Sequence, residues 1–479
     1  VLLSIPCNIL SVDFKKNNIY SYKKTPKYFD ISKILHTLKT DTINSTLKVD
    51  TFPYLDGSFY LDNNNVDFAK HSLIIGASGS GKSKYISSFI KTTNDTYKDN
   101  YKIVMIDPHA SIENDIGALA HTINFKSIEE SIDLFASNSN DYIATTELTL
   151  DLFKTLISDQ YNSKLERVLR HSIYLLLSTH QFNFINLKKI ILDSVYRTSL
   201  INDSKSIIPE SVINFFLNDF NDLKTKSYGE AISPIISFID EMEMIPVFNQ
   251  TEPSFSLKDV ISNNFITLFS LDMTTLGEKV TKTISGFIMQ QLLTLIQNMT
   301  IKEHIIFIID EVPVIENNIL CRFLSESRKY NLSLILASQY FNQISSSLKD
   351  AIFANVINYY IFRVSRSDAS LLVNHLDIKI PSISDKSPEE QKEEKINILS
   401  NLNNRECLVR ISSNKLLTPC FKARTLDFSP LPLKEKKQYN KIDIVKSKKS
   451  SSNLLNFNID NTSLKDLLKQ TSSSRVVVK

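Results

Sequence analysis

Glycine is scarce in this chain of 479 residues, yet three of its eight glycines fall within six positions. They belong to segment 76–83, which reads Gly-Ala-Ser-Gly-Ser-Gly-Lys-Ser. Glycine lets a backbone turn tightly and present its N–H groups to an anion. An apolar run, Ser72–Ile75, precedes the segment, and a helical pattern begins near Lys82. The sequence therefore predicts a phosphate-binding loop (a P-loop, or Walker A motif) rather than a chance Gly/Ser turn.

The P-loop predicts ATP and Mg²⁺ as cofactors. Lys82 is expected to reach the β- and γ-phosphates, and the Ser83 hydroxyl is expected to ligate Mg²⁺. The full set of candidate nucleotide-binding residues is Gly76, Ala77, Ser78, Gly79, Ser80, Gly81, Lys82, Ser83, Lys84 and Asp107.

A second motif supplies the acids that such a loop needs. Five apolar residues, Ile305–Ile309, are followed directly by Asp310 and Glu311. Alone, an Asp-Glu pair after an apolar run is usually a solvated strand end. Beside a P-loop it predicts a Walker B motif, in which Asp310 holds Mg²⁺ through its water shell and Glu311 polarises the attacking water. The two motifs together predict an ATP hydrolase.

The apolar runs indicate an α/β fold. Five short runs are separated by helical patterns and predict buried strands of a parallel sheet: Leu73–Ile75, Ile103–Ile106, Phe265–Leu271, Ile305–Ile309 and Ser333–Ala337. Ligands of open parallel sheets lie at the carboxyl ends of strands, so Asp107 and Gln339 are expected to face the nucleotide. Gln339 is a candidate for sensing the γ-phosphate or positioning water; the alternative is a polar residue that merely ends a strand.

Composition divides the chain into five predicted parts. They are an irregular segment 1–70 with a strand pair near 47–52 and 58–61, core residues 71–125, an α-helical insertion 126–250, core residues 251–430 and a flexible tail 431–479. The tail has eleven Lys/Arg against four Asp/Glu, a net charge of 11 − 4 = +7, so the rest carries 3 − 7 = −4. The bulk charge of the body therefore gives no argument for nucleic-acid binding. Segment 463–468 is predicted to form a short amphipathic helix.

Several classes of protein are disfavoured. No stretch approaches the ~18 apolar residues of a transmembrane helix, and no signal peptide is recognisable. The four cysteines are scattered, without a C-x-x-C pair, which argues against a zinc site or a disulfide framework. We expect a cytoplasmic protein, with the inner face of the membrane as a further option.

Segment 323–340, which includes Arg328 and Gln339, resembles the segment after the Walker B strand in DNA motors of the HerA/FtsK superfamily. The likeness is greatest to the branch of conjugative coupling proteins and type IV secretion ATPases. Other pieces agree in order, among them Asp107-Pro-His109, segment 351–369 and the closing hairpin 404–425. The similarity spans about residues 50–428. Ala110-Ser111 departs from it, since the family commonly has Gly-Asp there.

The resemblance implies a RecA-like core in a ring, usually a hexamer, with ATP sites between subunits and DNA in the central channel. It also implies an arginine that reaches the γ-phosphate of the neighbouring subunit. Arg328 is the first candidate for this trans finger and Arg363 the second; the alternative for each is a surface or ion-paired arginine.

The leading functional hypothesis is a ring-forming, ATP-dependent DNA translocase in conjugative or type IV secretion-like DNA transfer. Its expected partners are DNA, bound without sequence preference, and a secretion channel, relaxase or nuclease. One alternative is a HerA-like motor that processes DNA ends with a nuclease. Another is an ATPase that powers protein export or pilus assembly. A third, an assembly module with little hydrolysis, is disfavoured by the intact Asp310-Glu311 pair.

Overall fold

A twelve-stranded sheet runs through the described part of the chain. The computed structural model describes residues 12–13, 18–19, 38–39, 42–49, 59–97, 100–125, 132–135, 141–248, 255–378, 387–413 and 415–429. In chain order the strands are β1 (Val12–Asp13), β2 (Asn18–Ile19), β3 (Leu38–Lys39), β4 (Leu47–Val49), β5 (Phe59–Leu61), β6 (Ser72–Ile75), β7 (Tyr101–Asp107), β8 (His121–Asn124), β9 (Ile132–Asp133), β10 (Phe255–Ser256), β11 (Ile266–Ser270), β12 (His304–Ile309), β13 (Leu332–Ser338), β14 (Asn358–Ile361), β15 (Glu406–Arg410), β16 (Ser412–Ser413), β17 (Leu416–Leu417) and β18 (Phe421–Thr425). The order across the large sheet is β3-β5-β4-β18-β15-β14-β6-β13-β12-β7-β11-β8.

One half of the sheet, from β14 to β8, is parallel throughout. Every residue of β6, β11 and β13 is buried, which explains why these strands read as unbroken apolar runs rather than alternating patterns. All five predicted strands are present, and the predicted mainly parallel sheet flanked by helices is confirmed.

The other half of the sheet is antiparallel. Strands β15, β18, β4, β5 and β3 follow β14 in that order, each antiparallel to its neighbour. The predicted strand pair near the N-terminus is confirmed as β4 and β5, although the ladder covers only Lys48 to Val49 against Phe59 to Tyr60. The hairpin 404–425 is built from β15 and β18.

Helices cover both faces of the parallel half. In chain order they are α1 (Lys82–Tyr97), α2 (Glu113–Ile116), α3 (Tyr142–Ile157), α4 (Ser163–Ser178), α5 (Phe184–Leu192), α6 (Ser194–Ser204), α7 (Glu210–Asn214), α8 (Phe220–Lys226), α9 (Tyr228–Ala231), α10 (Ser233–Glu243), α11 (Leu257–Asn263), α12 (Met273–Leu276), α13 (Glu278–Gln297), α14 (Val312–Ile315), α15 (Asn318–Glu326), α16 (Ser346–Asn355), α17 (Arg366–Leu372) and α18 (Pro388–Ser400). Side chains of β6 alternate between two cores: Ile74 packs in the cluster that includes α1, whereas Leu73 and Ile75 pack in the cluster that includes α13. In the described ranges, none of the helices combines the length and apolar character that a membrane crossing requires.

Helices α3 to α10 occupy most of the segment predicted as a helical insertion. Asp141, Asn162 and Asn183 cap three of them, each accepting backbone N–H groups in the first turn. These helices share the α13-side core with the sheet and belong to the same compact unit, residues 1–433. The proposed domain boundaries stay a prediction. The basic tail and the helix predicted at 463–468 lie outside the described residues.

Strand register aligns the carboxyl ends that matter for function. In the parallel ladders Ile75 lies opposite both Ser338 and Ile361, and Ile309 lies opposite Ile106. The residues that follow β6, β13, β14, β12 and β7 therefore emerge at one edge of the sheet.

Candidate functional site

The P-loop leaves β6 and enters α1 through two glycines in left-handed backbone conformations. Gly79 has φ +71° and Gly81 φ +113°, values that L side chains rarely adopt. Gly76 is needed for a different reason, because a Cβ on it would lie 2.5 Å from Phe362 Cβ and 2.8 Å from Ser80 Oγ. The crown of the loop, Ser78 and Gly79, is exposed and open to a ligand.

Backbone hydrogen bonds tie the loop to three neighbouring strand ends. They are Gly76 N–H to Ser338 O (3.2 Å) at the last residue of β13, Ala77 N–H to Arg363 O (2.7 Å) after β14, and Arg405 N–H to Ser80 O (2.8 Å) before β15. The loop conformation is therefore fixed by the sheet as well as by its own glycines.

The lysines of the motif have different surroundings. Lys82 is 6% exposed, and its ammonium group donates a hydrogen bond of 2.6 Å to Gly76 O. Burial lowers the pKa of Lys82, while the nearby Glu311 and Asp310 act in the opposite direction. Lys84 is exposed, and its ammonium lies 2.7 Å from Asp115. Its side chain is thus held by an acid, and its proposed role in binding nucleotide stays a prediction.

Asp310 and Glu311 emerge beside the P-loop, as the sequence predicts. Asp310 N–H donates to Ile106 O (3.1 Å), which fixes the residue at the end of the β12/β7 ladder. Asp310 is 6% exposed; burial, and then the neighbouring Asp107, raise its pKa to about 7. A buried carboxylate at this position lacks enough positive charge to balance it in the protein alone.

Glu311 is held by the strand end that carries the predicted sensor residue. Its Oε1 accepts the N–H of Gln339 (3.1 Å) and lies 3.5 Å from the hydroxyl of Ser338. Glu311 has φ +57°, a left-handed conformation that is strained for a residue with a side chain. The backbone of Gln339 thus positions Glu311, a role that the sequence did not indicate, and its half-buried side chain lies at the same edge.

Asp107 lies at the predicted strand end but is occupied by its own loop. Its carboxylate accepts the N–H groups of His109 (3.1 Å) and Ile112 (2.8 Å), and the side chain is fully buried. Burial raises its pKa, and the backbone hydrogen bonds oppose this. Its negative charge next to Asp310 contributes to the raised pKa of Asp310.

The two candidate arginines lie in different places. Arg363 follows β14, and its carbonyl accepts Ala77 N–H, so it lies beside its own P-loop. Arg328 precedes β13, whereas the P-loop is adjacent to the other end of that strand. Seven residues of strand separate these ends, roughly 20 Å. Arg328 is exposed, and its guanidinium donates to Asn355 O (2.5 Å).

Two residues near the loop have no recognisable sequence signal. Asp115 accepts both Lys84 and the hydroxyl of Ser87. Arg405 contacts the loop through its backbone and lies in the hairpin 404–425, whose spacing alone gives no hint of this contact.

The donor set suits magnesium better than a transition metal. Among the described residues, no group of three or more His, Cys, Asp or Glu side chains could hold a metal ion. Magnesium bound with a nucleotide needs only one or two carboxylates, because phosphates and water complete its shell. The Ser83 hydroxyl and the Asp310 carboxylate provide oxygen ligands of that kind.

Comparison with known proteins places this arrangement in context. Residues 55–292 match the family model described as Helicase HerA, central domain. Comparison with curated protein sequences finds no match.

Several solved structures share the fold. Plasmid coupling protein TrwB in complex with ADP and Mg²⁺ is 16% identical with a TM-score of 0.57, covering 78% of this chain and 88% of that one. TrwB in complex with a non-hydrolysable ATP analogue is 15% identical with a TM-score of 0.52, and the match covers 78% of this chain and 89% of that one. VirB4 of Thermoanaerobacter pseudethanolicus is 13% identical with a TM-score of 0.51, and the match covers 82% of this chain and 98% of that one. At these identities the likeness establishes the fold.

Proposed function

We propose that the chain is a P-loop ATPase of the HerA/FtsK type and a ring-forming motor that hydrolyses ATP to translocate DNA in type IV secretion-like transfer. The observation that best supports ATP hydrolysis is the alignment of strand ends. It brings Lys82 close enough to Asp310 and Glu311 for both charges to act on the pKa of Lys82.

The residues of the site divide the chemistry of ATP hydrolysis. Lys82 exchanges the carbonyl of Gly76 for the β- and γ-phosphates, and P-loop N–H groups hold the phosphate chain. When bound, Mg²⁺ neutralises charge on the β- and γ-phosphate oxygens. Ser83 and Asp310 would hold it. Glu311, positioned by the backbone of Gln339, orients the attacking water and accepts its proton.

The position of Arg328 supports a ring. It is exposed and lies at the strand edge away from the P-loop of its own subunit, so it can serve an ATP site only on a neighbour. We propose that Arg328 stabilises the γ-phosphate across the interface of a hexamer, and that Arg363 acts on the site of its own subunit.

The DNA-transfer part of the proposal is supported by family and fold. One relative with this fold is described as a plasmid coupling protein. We propose that DNA passes through the ring without sequence preference, that the ring works in the cytoplasm at the inner face of the membrane, and that a secretion channel and a relaxase are its partners.

The proposal is tested by measuring ATP hydrolysis with and without DNA, together with the mass of the assembly. We expect severalfold stimulation by DNA of unrelated sequences and a steep loss as salt rises, because a translocating motor grips phosphates. A protein lacking residues 431–479 is the control for capture by the basic tail. A truncated ring with robust ATPase that ignores DNA at low salt would refute the translocase and favour protein export.

The ring is tested by mixing variants. Arg328→Ala and Lys82→Ala proteins should each be inactive, yet mixed assemblies should regain some activity. Some interfaces then pair an intact P-loop with an intact arginine. Mixtures that co-assemble without any recovery would show that Arg328 does not act across the interface.

A further inference from the structure

The sheet order separates the two ends of a bound nucleotide. From β6, which carries the P-loop, β13 and β12 lie on one side with Glu311 and Asp310, the groups proposed to act at the γ-phosphate. Strands β14, β15 and β18 lie on the other side. A triphosphate that follows the loop from its γ end towards α1 therefore directs its nucleoside to the side of β15 and β18.

Arg405 is fixed against the loop on that side. It has φ +69°, its N–H donates to Ser80 O (2.8 Å), and its carbonyl accepts Thr425 N–H (2.9 Å). A Cβ placed on Gly81 would lie 3.2 Å from Arg405 Cα and 3.5 Å from its Cγ, so the arginine side chain starts directly against the last glycine of the loop. A left-handed backbone conformation is strained for an arginine, and these two hydrogen bonds stabilise it.

The guanidinium of Arg405 is positioned but accessible. It lies 2.6 Å from Asp427 Oδ1, and its Nε lies 3.4 Å from Thr425 Oγ1. The side chain of Arg405 is 42% exposed and that of Asp427 is 93% exposed. An ion pair this exposed contributes little to the free energy of folding. The guanidinium can therefore leave Asp427 and turn to a ligand at a small cost in free energy.

An aromatic ring lies next to the same stretch of α1. The ring of Phe428 is 5.9 Å from Lys84 Nζ and packs on the α1-side core while staying half-buried. Arg405 therefore contacts the loop just before α1, from the residue before β15, and Phe428, in the segment after β18, lies near the side chain of Lys84. A planar cation and an aromatic ring are the groups that stack on bases.

We propose that Arg405 and Phe428 form the nucleoside subsite of the ATP site, with the guanidinium against the base and the ring closing its edge. This inference rests on the proposed ATP site and goes beyond it, because it names residues that would bind the nucleoside, which the P-loop does not contact. Stacking tolerates any base, so the subsite accepts purine nucleotides with little discrimination between adenine and guanine.

The test compares ligands with and without a nucleoside. Calorimetric titration of a Glu311→Gln background, which prevents turnover, measures binding of Mg-ATP, Mg-GTP and Mg-tripolyphosphate. Arg405→Ala should weaken ATP and GTP about tenfold, and Phe428→Ala about fivefold, while tripolyphosphate affinity stays unchanged.

Controls separate the side chain from the backbone. Arg405→Gly removes the side chain and suits the positive φ, so it should match Arg405→Ala. Arg167→Ala on α4 removes another half-exposed, ion-paired arginine and should change nothing. Equal losses for ATP and tripolyphosphate would mean that Arg405 acts only through the loop, and unchanged ATP affinity would also overturn the subsite. If the Glu311→Gln protein binds neither ligand, the ATP site itself is wrong.

Discussion

Two buried carboxylates of the same sheet differ in how their charge is balanced. Asp310, at the end of the parallel half, is 6% exposed with a pKa raised to about 7 by burial and by Asp107. Glu406, in the antiparallel half, is 5% exposed. Burial alone would raise its pKa too, but hydrogen bonds from Lys422, Asn403 and Arg424 lower it to about 2.

The difference separates a carboxylate that we propose to hold Mg²⁺ from one whose charge is balanced within the fold. Glu406 has its cations within the fold, with Lys422 and Arg424 each 3.0 Å away. Asp310 has another acid as its neighbour, and the ammonium group of Lys82, which partly compensates its charge, donates a hydrogen bond to Gly76 O. A carboxylate left short of positive charge is costly for the fold and useful for holding Mg²⁺.

The largest expected effect is at Lys82. Lys82→Ala should lower ATP turnover by about 10³-fold or more, because it removes the cation that neutralises the transferring phosphate. Steady-state hydrolysis measures this, with Lys91→Ala further along α1 as the matched lysine control. Near-normal turnover would show that the P-loop is not the catalytic site.

Glu311→Gln should come next in size. It keeps the shape but not the base, so turnover should fall about 10²- to 10⁴-fold while ATP binding and assembly persist. Calorimetric binding and a single-turnover assay separate the two effects. Weak Mg-ATP binding in this variant, with normal binding in Asp310→Asn, would mean that the two acids have exchanged roles.

Stability should respond oppositely at the two carboxylates. In protein kept metal-free with chelator, Asp310→Asn should raise the free energy of unfolding by about 2 kcal/mol, because it removes an unbalanced charge. Glu406→Gln should lower it by about 1 kcal/mol, a value reduced by the solvent exposure of Lys422 and Arg424. Denaturant unfolding measures both. Effects of the same sign would remove the distinction between them.

The smallest effect is the pH dependence of those differences. The folded pKa of Glu406 is lowered, so its stabilisation is complete above the unfolded value of 4.5 and is lost as pH falls towards about 2. The folded pKa of Asp310 is raised, so its penalty grows as pH rises from 3.8 and is complete above about 7. Unfolding curves should therefore show Glu406→Gln approaching wild type in acid, and Asp310→Asn approaching it below about pH 4. Differences that do not vary with pH would contradict this account.

The sequence was sufficient for the parallel half because its signals are local. Buried parallel strands read as apolar runs, and the glycines of the P-loop are needed at positions that the motif already marks. Strand ends then bring Asp310 and Glu311 to the loop through topology alone.

Other features depend on contacts between distant segments. Ser80 and Arg405 meet across more than three hundred residues of chain, and neither residue type is distinctive for that contact. The balance of charge at Glu406 depends on the register of β15 against β18, which a sequence pattern does not specify. The hydrogen bonds from His109 and Ile112 to the carboxylate of Asp107 are local, yet the motif does not reveal them, and the role of Asp107 towards the nucleotide stays a prediction.

The three backbone hydrogen bonds of the P-loop have a kinetic consequence. The amides of Gly76, Ala77 and Arg405 exchange with solvent only when their bonds to Ser338, Arg363 and Ser80 open. Deuterium uptake at these amides therefore reports how often the loop separates from β13, β14 and β15 one strand at a time. The loop is thus a junction between strands, and the amides of Gly76, Ala77 and Arg405 each report the opening of one of its connections.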